Sequence, residues 1–314
     1  MIAPRVSIVL PTLNGIETLP DVLAAIRRQR TDARVEIVAV DSGSTDGSLE
    51  LLRRSVDKLM TVAPDAFDHG LTRNLAIEQS DGELVVLLVQ DAVPVSSDWL
   101  SALVAPFAAD ERVAGTFARQ EPRVDASAVT RYYLDRWIAG RESPRTVSVA
   151  AREEFAALDP AARFDRCAFD NVCSCIRRSV WQRIPFRSTP IAEDLEWARD
   201  VLLAGYRLEY VPSAVVRHSH DRSARYEFAR TFALHRRLFE LFGLRTIPTL
   251  STLAAAIASS MRAHLSCRRQ VPPTGGRSGR LDRAVALAVA WPLGQYLGGL
   301  AAARQWQGVG FRGV

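Results

Sequence analysis

Asp91 ends the run Leu84–Val89, which is wholly apolar, and Pro94 follows, which cannot extend a central strand. A carboxylate at the end of a buried strand is costly unless a cation or hydrogen bonds meet it. Much later, His218-Ser219-His220 sets two imidazoles at a spacing of two, on one side of any strand. One carboxylate and two imidazoles can hold a divalent metal, so Asp91, His218 and His220 are metal candidates. The plainer alternatives are a turn at Asp91 and structural histidines, with His220 merely orienting His218. Glu193-Asp194 opens a helical pattern, where acidic residues also suit the helix dipole. Asp41 ends a second buried-looking strand, Val35–Val40. It can accept hydrogen bonds from a ligand or cap the turn Ser42–Thr45. In Asp68-His69-Gly70-Leu71-Thr72-Arg73, Asp68 or Thr72 can cap the next helix, and the Arg73 fork suits phosphate oxygens.

These side chains need elements to hold them. Arg5–Leu10, Val35–Val40, Lys58–Ala63 and Leu84–Val89 read as strands. Helical patterns over Glu17–Arg30, Ser48–Ser55, Leu71–Gln79 and Asp98–Ala108 separate or follow them. Strands without polar alternation, interleaved with helices, predict a mostly parallel α/β sheet covered on both faces. Such sheets bind ligands beyond the carboxyl ends of their strands. The loops that begin at Pro11, Asp41 and Gln90 lie at that edge. After Asp110 the pattern loosens: a strand over Val113–Ala118, a helix over Ala126–Ile138, then a polar, aperiodic stretch from Ala139 to Asp170. A loop that long predicts a functional lid or a disordered segment. Beyond it come a helix over Ala192–Ala204, short strands at Tyr206–Tyr210 and Ala214–Val216, and a long helix over Arg222–Phe242. Pro272 to Gly279 reads as a flexible linker between two Ala-rich helical segments.

The 314 residues, 48% of them hydrophobic, can bury a large core. The formal charge of +5 is spread out and excludes no small anion, but it carries no nucleic-acid signature. Cys167, Cys173, Cys175 and Cys267 lack zinc-finger spacing and read as reduced thiols. No secretory leader opens the chain. GxGxxG is absent after the first strand, which argues against a nicotinamide-dependent oxidoreductase.

Five stretches in order resemble family 2 glycosyltransferases of the GT-A fold: VSIVLPTLNG, VEIVAVDSGSTDGS, FDHGLTRNLA, LLVQDAVPVSSDWL and IAEDLEWARDVLLAGYRLEYVPSAVVRHSH. The variant VQDAVP, with ARQEP and the HSH ending, is most similar to bacterial rhamnosyltransferases of that family. The resemblance implies a nucleotide-sugar donor, bound by Pro11, Thr12, Asn14, Asp41, Asp68, Gly70, Arg73, Gln90 and Asp91. It implies Mg²⁺ or Mn²⁺ at Asp91 with a nearby histidine, and a catalytic base at Asp194 supported by Glu193. Val89 stands where the family's Asp-x-Asp pattern has its first carboxylate. Acceptor contacts are expected at Arg119, Gln120 and Trp197, and in the Ala139–Asp170 stretch.

The expectation is an inverting transfer of a sugar, L-rhamnose from dTDP-L-rhamnose, to a glycan or lipid-linked glycan of the bacterial cell surface. The alternatives are another UDP- or GDP-sugar, and, from another class, a non-catalytic membrane-associated scaffold. A transferase domain over 1–221 and a C-terminal helical region over 222–314 are expected. The apolar tail with its Arg and Trp residues is read as a peripheral contact on the inner face of the membrane, or as packing on the catalytic domain or in a homodimer. The location expected is the cytoplasm.

Overall fold

All five residues of Leu84–Leu88 are buried, and a sheet grows outward from this strand on both sides. The computed structural model describes residues 4–270 and 281–306. Among them, nine strands form one sheet: β1 (Arg5–Thr12), β2 (Arg34–Asp41), β3 (Lys58–Thr61), β4 (Leu84–Leu88), β5 (Val93–Pro94), β6 (Val113–Glu121), β7 (Arg145–Val147), β8 (Cys173–Arg177) and β9 (Arg207–Arg217). The order is β3-β2-β1-β4-β8-β6-β9-β5, with β7 added against β9. The expected parallel run is β3-β2-β1-β4. Beyond it the sheet is mixed, because β8 lies antiparallel to both β4 and β6.

Alternate side chains of the buried strands feed two cores. Ile8, Leu10, Val86 and Leu88 pack with the helices Leu19–Arg27 and Trp99–Ala109 on one face. Val9, Val38, Val85 and Leu87 pack on the other, with residues of the helices His69–Glu78, Glu193–Leu203 and Ala224–Phe242. Strands buried on both faces have no polar alternation to show, which is why they read as continuous apolar runs.

Two sequence expectations change. The stretch from Ala139 to Asp170 is not an irregular lid. It holds β7 and the short helices Arg152–Ala157 and Pro160–Arg166, and it buries Val147, Val149, Phe155, Cys167 and Phe169. Elements of three to seven residues are too short for a helical or strand period to emerge from a polar background. The two strands expected over Tyr206–Tyr210 and Ala214–Val216 are one, β9, interrupted by a shift in register between Val211 and Val215.

The C-terminal region is helical at Ala224–Phe242, Leu250–Gln270 and Leu281–Ala303. The linker expected from Pro272 to Gly279 lies outside the described residues. Arg283–Ala303 is long and apolar enough to cross a membrane, yet half of that window is buried within the protein. Its glycines explain how. A Cβ on Gly294 would stand 2.9 Å from the carbonyl oxygen of Phe228, and one on Gly298 would collide with that of Phe232. The two helices therefore cross in close backbone contact, secured by a Trp291 to Glu227 hydrogen bond of 3.0 Å. The glycine face is used inside the chain, and neither a membrane contact nor a dimer contact is supported by this packing. A direct check compares Gly298→Ala with Gly299→Ala, whose Cβ would sit at an ordinary 3.5 Å from Arg245. The first should cost about 1–3 kcal/mol through overpacking. The second should be neutral or gain up to about 1 kcal/mol from helix propensity. Equal shifts in urea unfolding would mean that the helices do not cross here.

Candidate active site

The topology brings Asp91 and the histidines together. β8 runs antiparallel to β4 and β6 antiparallel to β8, so β6 points the same way as β4; β9 runs parallel to β6. The carboxyl ends of β4 and β9 thus share one edge. There β5 pairs with the end of β9, Val93 on Arg217 and Pro94 on Val216. Asp91 lies in the turn between β4 and β5, and His218 and His220 lie just past the end of β9, so this pairing brings the two segments side by side. Asp91 Oδ1 lies 3.6 Å from His218 Nε2, and Oδ2 lies 3.2 Å from His220 Nε2. The two Nε2 atoms are 3.2 Å apart. All three ligand atoms fall within 4.8 Å of one another, a spacing that a metal ion can bridge. Burial pushes His218 down, and burial with the neighbouring His218 pushes His220 to about 4. The neutral imidazoles favoured by these shifts are the form that ligates metals.

A carboxylate pair occupies the start of the Glu193–Leu203 helix. Ala192, just before it, is held in the left-handed region at φ 63°, a conformation costly for a residue with a Cβ. Glu193 forms a buried ion pair with Arg73 at 2.8 Å and accepts from Asn171 Nδ2 at 3.3 Å. Burial alone would raise this carboxyl, but Arg73, with help from His69, holds it below its usual range. Asp194 has no cation at contact distance among the described residues. It accepts from the backbone of Leu195 at 2.8 Å and, weakly, of Asn171 at 3.4 Å. Burial first, then the charges of Glu193 and Asp170, push it well above the ordinary carboxylate range.

The expected nucleotide-binding residues gather at the same edge, but several are occupied with each other. Pro11 and Thr12 finish β1, alongside Val40 and Asp41. Asp41 is buried, and Oδ1 takes the backbone N–H groups of Gly43 and Ser44 at 3.0 and 2.9 Å. Oδ2 takes the hydroxyls of Ser44 and Thr12. Asp41 thus caps its own turn. Asn14, at φ 48°, accepts from the backbone of Thr45, and Gly15 donates to Ser48 Oγ. Gln90 clamps Leu13 through both amide atoms, at 2.8 and 2.9 Å. Asp68 caps the His69–Glu78 helix and also accepts from Ser188. Gly70 is required because a Cβ there would strike the carbonyl of Arg187. Arg73, expected near a phosphate, is buried against Glu193 instead.

The acceptor expectations fare differently. Trp197 is 2% exposed, packs against Phe169 and Phe186, and donates to the carbonyl of Ile184 at 2.9 Å. It is a core residue and cannot stack on a sugar. Gln120 is also buried, between His218 and Asp170, so it offers nothing to an acceptor. Arg119 is ion-paired with Glu121 and Glu142. Asp170 and Asn171 were not picked out in the sequence, though both reach the site. The available signal was a carboxylate and an amide just before a buried strand; because β8 is antiparallel, its start lies at the ligand edge. A cavity of about 330 Å³ opens beside Asp91 and His220, with Asn14, Arg123, Asp125 and Arg222 on its walls.

Residues 7–155 match the family model described as Glycosyl transferase family 2. The chain is 31% identical over 232 residues to an O-antigen chain rhamnosyltransferase of Salmonella typhimurium, covering 73% of this chain and 70% of that protein. A second O-antigen chain rhamnosyltransferase, of Salmonella anatum, is 28% identical over 233 residues, with 73% and 70% covered. Among solved structures, a mannosyltransferase from Pyrobaculum calidifontis, in complex with GDP-Man and Mn²⁺, aligns with a TM-score of 0.54 at 20% identity. That alignment covers 98% of this chain and 77% of the other. Glucosyl-3-phosphoglycerate synthase from Mycobacterium tuberculosis, in complex with Mn²⁺ and UDP-glucose, aligns with a TM-score of 0.51 at 19% identity, covering 77% and 80%. These likenesses show the GT-A type of fold.

The Arg73–Glu193 pair can be tested by itself. Arg73→Met strands a buried carboxylate and should cost about 3–5 kcal/mol in denaturant unfolding. Arg73→Met with Glu193→Gln should recover much of that loss. If the double variant is as unstable as the single one, the pair is not what stabilises this corner.

Proposed function

The chain belongs to glycosyl transferase family 2 and is a glycosyltransferase, and within that family we propose an inverting transfer of L-rhamnose from dTDP-L-rhamnose. The acceptor in this reading is a hydroxyl of a glycan or lipid-linked glycan in cell-surface polysaccharide synthesis. The names of the two Salmonella relatives support the sugar and the acceptor class. A cytoplasmic place of action goes with a nucleotide-sugar donor.

The observation that carries the reading is the convergence of Asp91, His218 and His220 at the ligand edge of the sheet, on the same edge as the Glu193-Asp194 pair. Asp91, His218 and His220 would hold a divalent ion, which would supply positive charge beside the donor's diphosphate. Two imidazoles among three protein ligands tilt the choice from oxygen-seeking Mg²⁺ towards Mn²⁺. When bound, such an ion neutralises charge on the departing diphosphate.

The protein's own residues do the rest. Asp194 takes the proton of the acceptor hydroxyl as that oxygen attacks the anomeric carbon. Its raised pKa suits the task, because a base works best when its pKa lies near the operating pH. Glu193, kept ionised by Arg73, maintains the negative field that lifts Asp194. The walls from Arg123 and Arg222 are proposed to meet the donor or acceptor beside Asp91. Single displacement needs no covalent enzyme intermediate.

The sign of the pH dependence follows. Asp194 is active as the carboxylate, so activity is present above its pKa and lost as pH falls through it. That limb should lie above the ordinary carboxylate value of about 3.9. Asp194→Asn should retain donor binding, abolish the limb and lower kcat by about 10²–10⁴-fold. Near-normal turnover with saturating donor would remove Asp194 from the role. Asp91→Ala should weaken nucleotide binding only in the presence of Mn²⁺, and EDTA should reproduce this with the unaltered chain. Equal activity in EDTA and in Mn²⁺ would sink the metal assignment. Release of nucleotide from dTDP-rhamnose, UDP-glucose and GDP-mannose, compared side by side, tests the donor. Faster release from either of the last two replaces rhamnose with that sugar class.

A further inference from the structure

Asp170 is surrounded by donors. Its Oδ1 accepts from the backbone N–H of Val172 at 2.9 Å. Its Oδ2 accepts from the indole N–H of Trp137 at 2.9 Å and from Gln120 Nε2 at 2.8 Å. A carboxylate has no hydrogen to give, so the Gln120 atom that faces it must be the amino nitrogen. A reversed amide would set two acceptors against each other. Gln120 is only 6% exposed, too little for water to relieve such a clash. The orientation of the amide is therefore dictated by Asp170, and Gln120 Oε1 is left facing His218 Nδ1 at 3.0 Å. An amide oxygen only accepts, so Nδ1 carries the hydrogen. A neutral imidazole has one N–H, which leaves Nε2 bare, turned towards Asp91 and His220.

We propose that Asp170 and Gln120 are positioning residues that lock His218 in its Nδ1–H tautomer, keeping the Nε2 lone pair presented to the metal site. The proposal rests on the metal reading above. Its content is the polarity of a three-link chain, from the donor-ringed carboxylate through the amide to the ring. Strand pairing holds the links in place: Gln120 sits on β6 beside Val216 of β9, two residues before His218. Without the chain, the ring can adopt the Nε2–H form and aim a hydrogen at the ligand position. Partners that orient ligating histidines typically contribute about 10–100-fold in metal affinity.

The test reads the tautomer directly in metal-free protein. The chain has five histidines, so selective ¹⁵N labelling gives five imidazoles to resolve. His218 is assigned by the signal lost in His218→Gln. The unaltered chain should show a protonated Nδ1 and a bare Nε2. Asp170→Asn keeps the shape but introduces an amide donor, and Gln120→Leu removes the middle link. Both should raise the Nε2–H population and weaken Mn²⁺ binding, measured by electron paramagnetic resonance with dTDP present, by about 10–100-fold. An Nε2–H ring in the unaltered chain overturns the proposal. So does an unchanged tautomer or unchanged Mn²⁺ affinity in both variants. If either variant fails to fold, the unaltered chain's spectrum still decides. A failed metal reading is seen separately: Mn²⁺ would then bind Asp91→Ala as well as it binds the unaltered chain, whatever the tautomer.

Discussion

Two residues of strand pairing hold the ligand edge in register: Val93 on Arg217 and Pro94 on Val216. They tie the segment leaving β4 to the segment leaving β9, and the metal candidates lie within three residues of that pairing. A slip of one residue would turn every side chain of the short ladder to the other face. The Pro94 ring is tolerated because β5 is the edge strand, where a missing N–H leaves no ladder partner unsatisfied. The backbone N–H of Val95 adds a bond of 3.0 Å to Val215, which extends the same register. β8 runs antiparallel between β4 and β6, so its start lies at this edge and brings Asp170 and Asn171, just before it, to the site.

The edge also concentrates negative charge, and the fold distributes it unequally. The charges of Glu193 and Asp170 both act on Asp194, and among the described residues only Glu193 of the three has an arginine at contact distance. One cation cannot neutralise three carboxylates in a buried corner. The cheapest arrangement keeps Glu193 charged and lets Asp194 bind its proton more tightly. That splitting of neighbouring carboxylates is how proteins assign separate acid and base roles to like residues. Asp170 connects the two halves of the site. Its charge acts on Asp194 on one side and on His218 on the other.

Much of this was legible in the sequence because strand ends announce themselves. Apolar runs that stop at Asp41 and Asp91, and a pair of histidines at spacing two, follow from burial and pleat alone. The parallel half of the sheet and its ligand edge were readable on the same grounds. What was not legible depends on partners far away in the chain. Nothing local separates a phosphate-binding arginine from one that is buried against Glu193, 120 residues away. Trp197 looks like a sugar platform until Phe169 and Phe186 are seen around it. Gln120 looks like a surface amide on a strand until β9 and Asp170 enclose it. The compact elements between Ala139 and Asp170 are hidden because each spans only one or two repeats of its period, too few to stand out from a polar background.

The loops that follow β1 and β2 show how an occupied residue could still serve a ligand. Asp41 holds two kinds of partner: backbone N–H groups on Oδ1 and hydroxyls of Ser44 and Thr12 on Oδ2. The backbone bonds are fixed by the turn and cannot leave without unfolding it. The hydroxyls rotate about a single bond and can donate elsewhere. A base N–H or a ribose hydroxyl arriving at Oδ2 would therefore displace only rotors, while Oδ1 keeps the loop in shape. The contacts of Asn14 with Thr45, Gly15 with Ser48, and Leu13 with Gln90 already close these loops on one another. A ligand that meets loops already ordered does not pay to order them, and that saving appears as affinity. The same closure makes Asp41 more valuable as the cap of its own turn, within a preformed rim, than as an open contact.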